Sequence, residues 1–161
     1  MSTRQIAGVT LATATLLAAA CAKGPERACE GLTFTEHGVA RAEYLPCVGA
    51  MLDEMAHLDS LTDKLVANDE ASRLDAVATY GRLHRMMKDV GGEKRLREGW
   101  DDAGLAGLND ALVDAYQLYD IEFLGVAHPM KILRGTSEHN MQMAKKWGGY
   151  ARARYEAMGG K

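Results

Sequence analysis

Residues 46–66 read PCVGAMLDEMAHLDSLTDKLV, and the fold is decided there. Val48, Met51, Leu52, Met55, Leu58, Leu65 and Val66 recur at spacings of three and four, interrupted only by Asp59 and Thr62. That period places them on one face of an α-helix. Pro46 can open this helix, because the first turn does not use its missing amide proton. A shorter helical piece, capped by Thr35 and running to Tyr44, is expected to stop at Pro46.

Outward from this helix the pattern repeats. Asn68 and Asp69 offer capping side chains, and Leu74, Val77, Tyr80, Leu83, Met87 and Val90 form a second stripe before Gly91-Gly92. After Asp101-Asp102, a third run carries Leu105, Leu108, Leu112, Ala115, Tyr116, Tyr119 and Phe123, and it must stop near His128 because Pro129 follows. A fourth starts at Ser137, lines up Met141, Ala144, Gly148, Ala151, Tyr155 and Met158, and closes at Gly159-Gly160. Residues 92–100 provide an extra helical turn. Four amphipathic helices on short connections predict an all-α fold, an antiparallel four-helix bundle.

Composition agrees. The chain has 161 residues, 47% hydrophobic, 25% charged and 6% aromatic, with three prolines and a formal charge of -3. Those values suit one globular domain and offer no basic field of the kind that attracts nucleic acid.

The first twenty residues contain Arg4, no acidic residue, and an uncharged run from Ile6 to Ala20. This is the order of a signal peptide, and about 15 apolar or small residues are too few to span a bilayer comfortably. The run ends Leu16-Leu17-Ala18-Ala19-Ala20-Cys21, which resembles the lipobox of bacterial lipoproteins, with Ala18 standing where leucine is commonest. The resemblance implies cleavage before Cys21, lipid on Cys21, and an exported protein held in the cell envelope. Ala22, in place of an inner-membrane retention aspartate, implies the outer membrane, facing the periplasm. Ordinary cleavage after Ala20, giving a soluble periplasmic protein, is the alternative.

The expected organisation is therefore a signal peptide at 1–20, a lipidated N-terminus and tether at 21–34, and a helical domain at 35–161. With Cys21 lipidated, Cys29 and Cys47 are an even pair in an oxidising compartment and are expected to form a disulfide. Free thiols or a metal are the alternatives.

Four groups of side chains are candidates for chemistry. Glu54-Met55-Ala56-His57 has the Glu-x-x-His spacing of di-metal bundles, but it occurs once and helix geometry turns His57 to solvent. His139, Met141 and Met143 offer a nitrogen and two thioethers suited to copper or to haem iron; they converge only if 137–143 is not helical. Tyr116, Tyr119 and Phe123, joined by Tyr80, are candidates to line a cavity between helices. His84, with Arg82, Arg85 and Lys88, reads as a solvated basic face.

No Gly-x-Ser-x-Gly, Walker loop, dinucleotide fingerprint or His-Glu-x-x-His is present, so no catalytic residue is assigned. The sequence-level expectation is a membrane-anchored interaction or structural module with no cofactor. Its partners would be the lipid bilayer, through Cys21, and an envelope protein. The alternative is a periplasmic bundle that binds copper, haem or a small ligand.

Overall fold

The computed structural model describes residues 27–67, 69–124 and 136–161. The expected signal peptide, Cys21, the first part of the expected tether, Asn68 and His128 lie outside the described residues. Within them the fold is all-α, with helices α1 (Arg41–Val66), α2 (Glu70–Asp89), α3 (Gly92–Arg97), α4 (Ala103–Leu124) and α5 (Thr136–Ala157). None is long and apolar enough to cross a membrane.

Cross-helix partners fix the topology. On α1 and α2, Glu54 meets Arg82 and His57 meets Asp75, so the two run antiparallel. Tyr80 and His84 of α2 meet Asp120 and Tyr116 of α4, again antiparallel. Glu122 of α4 accepts from Asn140 of α5, and Asp53 of α1 accepts from Arg152 of α5. Across the diagonal, Tyr44 reaches Asn109 and Tyr119 reaches Asp59, so α1 and α4 run parallel. The result is an up-down-up-down bundle in the cyclic order α1, α2, α4, α5, with α3 packed on α4.

The interior is built of Leu, Met, Val and Ala, with the rings of Tyr44 and Tyr119 fully buried among them. Where tyrosine enters this core its hydroxyl finds a partner, as burial requires. Tyr44 donates to Asn109 Oδ1 at 2.7 Å, and Tyr119 donates to Asp59 Oδ1 at 2.6 Å. The most extensive contact joins α4 and α5, where Ala144 and Ala151 let the backbones approach closely.

Two sequence expectations are corrected. The first helix begins at Arg41 and runs through Pro46, whereas Thr35 forms only an isolated bridge with Gly38. Pro46 sits near enough to the helix start that it forfeits a single intrahelical bond. Tyr44 and Cys47, both fully buried, hold that first turn in place. The α2 face is also rotated from the expected stripe. Ser72, Ala76, Thr79, Leu83, Met86 and Met87 are buried, while Leu74 is 58% exposed. Asp69 caps the helix by accepting from the amide of Ser72 at 2.8 Å, and Thr79 turns inward beside Arg82.

A segment from Arg27 to Ala40 covers one end of the bundle. Cys29 and Cys47 are joined by a disulfide, and both are buried. Phe34 stands edge-on to Tyr44 and to Trp100, with ring centres 6.5 and 6.1 Å apart. Gly38, at φ +97°, takes a conformation that side chains rarely adopt, and it leaves room for Trp100, which would press on any Cβ there.

Candidate functional site

The residues singled out in the sequence are not gathered into one site. Cys21 lies outside the described residues. His139, Met141 and Met143 all fall within helical α5, where His139 is exposed, Met143 half-buried and Met141 buried in the core. At 100° per residue Met141 points well away from the other two, so the structure does not bring the three together. Glu54 and His57 also part company. His57 is on the surface, 2.9 Å from Asp75, whereas Glu54 is only 8% exposed and takes a two-pronged contact from Arg82 at 2.8 and 2.9 Å. Glu54 therefore holds α1 to α2 and does not belong to a solvated face.

The polar constellation that the fold does assemble lies between α2 and α4. Tyr80 and His84 are one turn apart on α2, Tyr116 and Asp120 one turn apart on α4, and the antiparallel packing sets the two pairs face to face. Both Tyr80 and Tyr116 donate to the same carboxylate oxygen, Asp120 Oδ1, the latter at 3.0 Å. His84 Nδ1 is 2.6 Å from the Tyr116 hydroxyl, 3.5 Å from that of Tyr80 and 3.8 Å from Asp120 Oδ1. With both phenol protons directed at Asp120, the Nδ1–H tautomer of His84 is the one able to donate to Tyr116.

Burial raises the pKa of both phenols, and the negative charge of Asp120 raises them further, so both are neutral donors at physiological pH. The rings stack in series. Phe123 lies 6.0 Å from Tyr80, Tyr80 lies 5.7 Å from His84, and His84 lies 6.3 Å from Tyr116. Tyr116 is buried, while the side chains of His84 and Asp120 remain 35% and 28% exposed, so the cluster opens on solvent.

Sequence reading placed Tyr80 and Tyr116 on apolar stripes and His84 on a basic surface, and it passed over Asp120. The available signal was a pair of i, i+4 couples, Tyr80 with His84 and Tyr116 with Asp120, on helices expected to be neighbours. Among the described residues no group of three or more His, Cys, Asp or Glu side chains is placed to share a metal. The convergence depends on the two tyrosines.

Two open grooves flank α5. One, of about 560 Å³ between α4 and α5, is lined by Gly107, Asp110, Ala111, Asp114, Trp147, Tyr150, Ala153 and Arg154. Arg97 neutralises its acidic wall, 3.5 Å from Asp110 and 2.6 Å from Asp114. The other, of about 270 Å³, runs between Leu52, Met55, Ala56 and Asp59 on α1 and Lys145, Gly148, Gly149 and Arg152 on α5.

Comparison with family models, with curated proteins and with solved structures finds no match to this chain.

Proposed function

We propose that the protein is an exported lipoprotein, anchored in the outer membrane through Cys21 and facing the periplasm, whose helical bundle is a non-catalytic interaction module. The observation that carries this reading is the division of the three cysteines. Cys29 and Cys47 are bonded to each other and buried. That leaves for lipid the single cysteine that follows Ala18-Ala19-Ala20. Cys29 follows Cys21 by eight positions, a reach of at most about 28 Å when extended, so the anchor would hold the bundle close to the leaflet. Two or more acyl chains are enough for stable anchoring.

The interaction reading is supported by how the domain uses its buried polar groups. Glu54 with Arg82, Asp59 with Tyr119, and Tyr44 with Asn109 all join one helix to another, as in a rigid scaffold. The α4/α5 groove, rimmed by Trp147 and the half-exposed Tyr150, offers an envelope protein an aromatic edge.

The test is the intact mass of the protein extracted from the membrane fraction of a bacterial host, with and without reductant. The expected mass is that of a chain beginning at Cys21 and carrying lipid, increasing by two hydrogens on reduction. A chain recovered without lipid, or with residues 1–20 still attached, overturns the anchor.

A further inference from the structure

The site between α2 and α4 has the make-up of a metal centre, and the inference holds whether or not the chain is anchored. We infer that Tyr80, His84, Tyr116 and Asp120 bind one ferric ion, through two phenolate oxygens, one carboxylate oxygen and the Nδ1 nitrogen of the imidazole.

Geometry comes first. Two ligand atoms each about 2 Å from one ion, at angles between square and tetrahedral, lie roughly 3 Å from each other. The donor atoms here are separated by 2.6, 3.0, 3.5 and 3.8 Å, with Tyr80 closer still to Asp120. Each of the four donors lies within 3.8 Å of at least two of the others. Each helix supplies two donors spaced i, i+4, and side chains on facing helices are what bundles use to build metal sites. Ordinary hydrogen bonding explains any one of these contacts. What marks the place is that two phenols, an imidazole and a carboxylate from two helices converge there.

The donor set selects the ion. Three of the four donors are hard oxygens, which disfavours Cu(I) and other soft ions. Full deprotonation of both phenols gives three negative ligand charges, so a trivalent ion makes a neutral centre, whereas a divalent one leaves an uncompensated anion in a half-buried place. Binding balances as follows. Fe(III) displaces the protons of Tyr80 and Tyr116, His84 binds through Nδ1 as its Nε2–H tautomer, and two protons leave for water. No electron is transferred. The exposed edges of His84 and Asp120 leave the remaining positions of an octahedral ion open to water.

The experiment titrates the full chain, purified without chelator, with Fe(III) supplied as its nitrilotriacetate chelate. The expected result is one iron retained per chain and a visible phenolate-to-iron charge-transfer band. Tyr80→Phe and Tyr116→Phe should each weaken binding by more than the roughly 10- to 100-fold that loss of an outer-shell partner costs. Each should also reduce the band per iron, while Tyr150→Phe, on the exposed face of α5, should leave both unchanged. Should Tyr116→Phe fail to fold, Tyr80→Phe, whose half-buried ring stays in place, carries the test. The inference is overturned by an absent band, by a band undiminished in Tyr80→Phe, or by tighter retention of Zn(II) than of Fe(III).

Discussion

Asn109 shows how narrowly the interior is balanced at single residues. Its side chain is fully buried; Oδ1 accepts from Tyr44, and Nδ2 has no hydrogen-bond partner among the described residues. Replacing Tyr44 with Phe would leave both ends of the amide unpaired in the core, at a cost of about 1–3 kcal/mol. In the background of Asn109→Leu the same change should cost much less, because no polar group is then stranded. Denaturant melts of the two single variants and the double variant measure this coupling, and additive losses would refute it. Asp59 gives the opposite sign. Burial raises its carboxyl pKa, outweighing the hydrogen bond from Tyr119 and the charge of Lys145. As pH rises, the unfolded chain loses this proton before the folded chain does, so the carboxylate opposes folding increasingly until the raised folded value is passed. Asp59→Asn keeps an acceptor for Tyr119 and cannot ionise. Its melting temperature should match that of the parent in acid, below about pH 3, and exceed it at neutral pH. A deficit that grows with pH would show that the site favours the charged form.

At the scale of elements, α5 contains a contradiction that its neighbours explain only in part. Gly148 and Gly149 lie in the middle of a 22-residue helix, yet a Cβ at either position would meet nothing within 4 Å. Each glycine costs roughly 1 kcal/mol relative to alanine without serving a close approach. Gly148→Ala and Gly149→Ala should each stabilise the fold by about that amount. Gly49→Ala should destabilise it, because its Cβ would come 2.5 Å from the Tyr155 hydroxyl. Thermal melts of the three variants decide the matter. A loss at Gly148 or Gly149 would mean that something packs there in solution.

The same scale shows what was legible beforehand. The order of the four long helices and most of their boundaries follow from apolar spacing and from Asp69, Gly91 and Asp102 as punctuation. Spacing alone misplaced the buried face of α2, because Ser72 and Thr79 are buried by a cap and by a neighbouring ion pair and not by hydrophobicity. The constellation of Tyr80, His84, Tyr116 and Asp120 was hidden for a related reason. Each half reads as ordinary within its own helix, and only the pairing of α2 with α4 turns two i, i+4 couples into a four-donor cluster.

The whole molecule has a polarity set by its connections. The starts of α1 and α4 and the ends of α2 and α5 meet at one end: Arg41 pairs with Asp102, and Gly49 faces Tyr155. The Cys29–Cys47 disulfide lies at this end, and an anchor at Cys21 would hold it to the membrane. Tyr119 is level with Met55 and Asp59, so the cluster on α2 and α4 sits roughly 15 Å further along the axis, on the side away from such an anchor. The disulfide therefore fastens to the bundle the segment through which any pull from the tether would pass. That segment also grips α3 and the start of α4, through Trp100 and through Arg95, whose guanidinium lies 5.4 Å over the ring of Phe34. Its release should loosen several elements together. Closing a loop with a sequence separation of 18 is worth about 3 kcal/mol on the chain-entropy account. For a domain of this size that corresponds to a fall in melting temperature on the order of 10 °C. Circular dichroism melts of the parent and of Cys29→Ser with Cys47→Ser should show this drop in a single transition. An unchanged melting temperature would mean that residues 27–40 detach alone and contribute nothing to the bundle. The predicted drop would instead make the bundle less stable in a reducing cytosol, which would hold both thiols free.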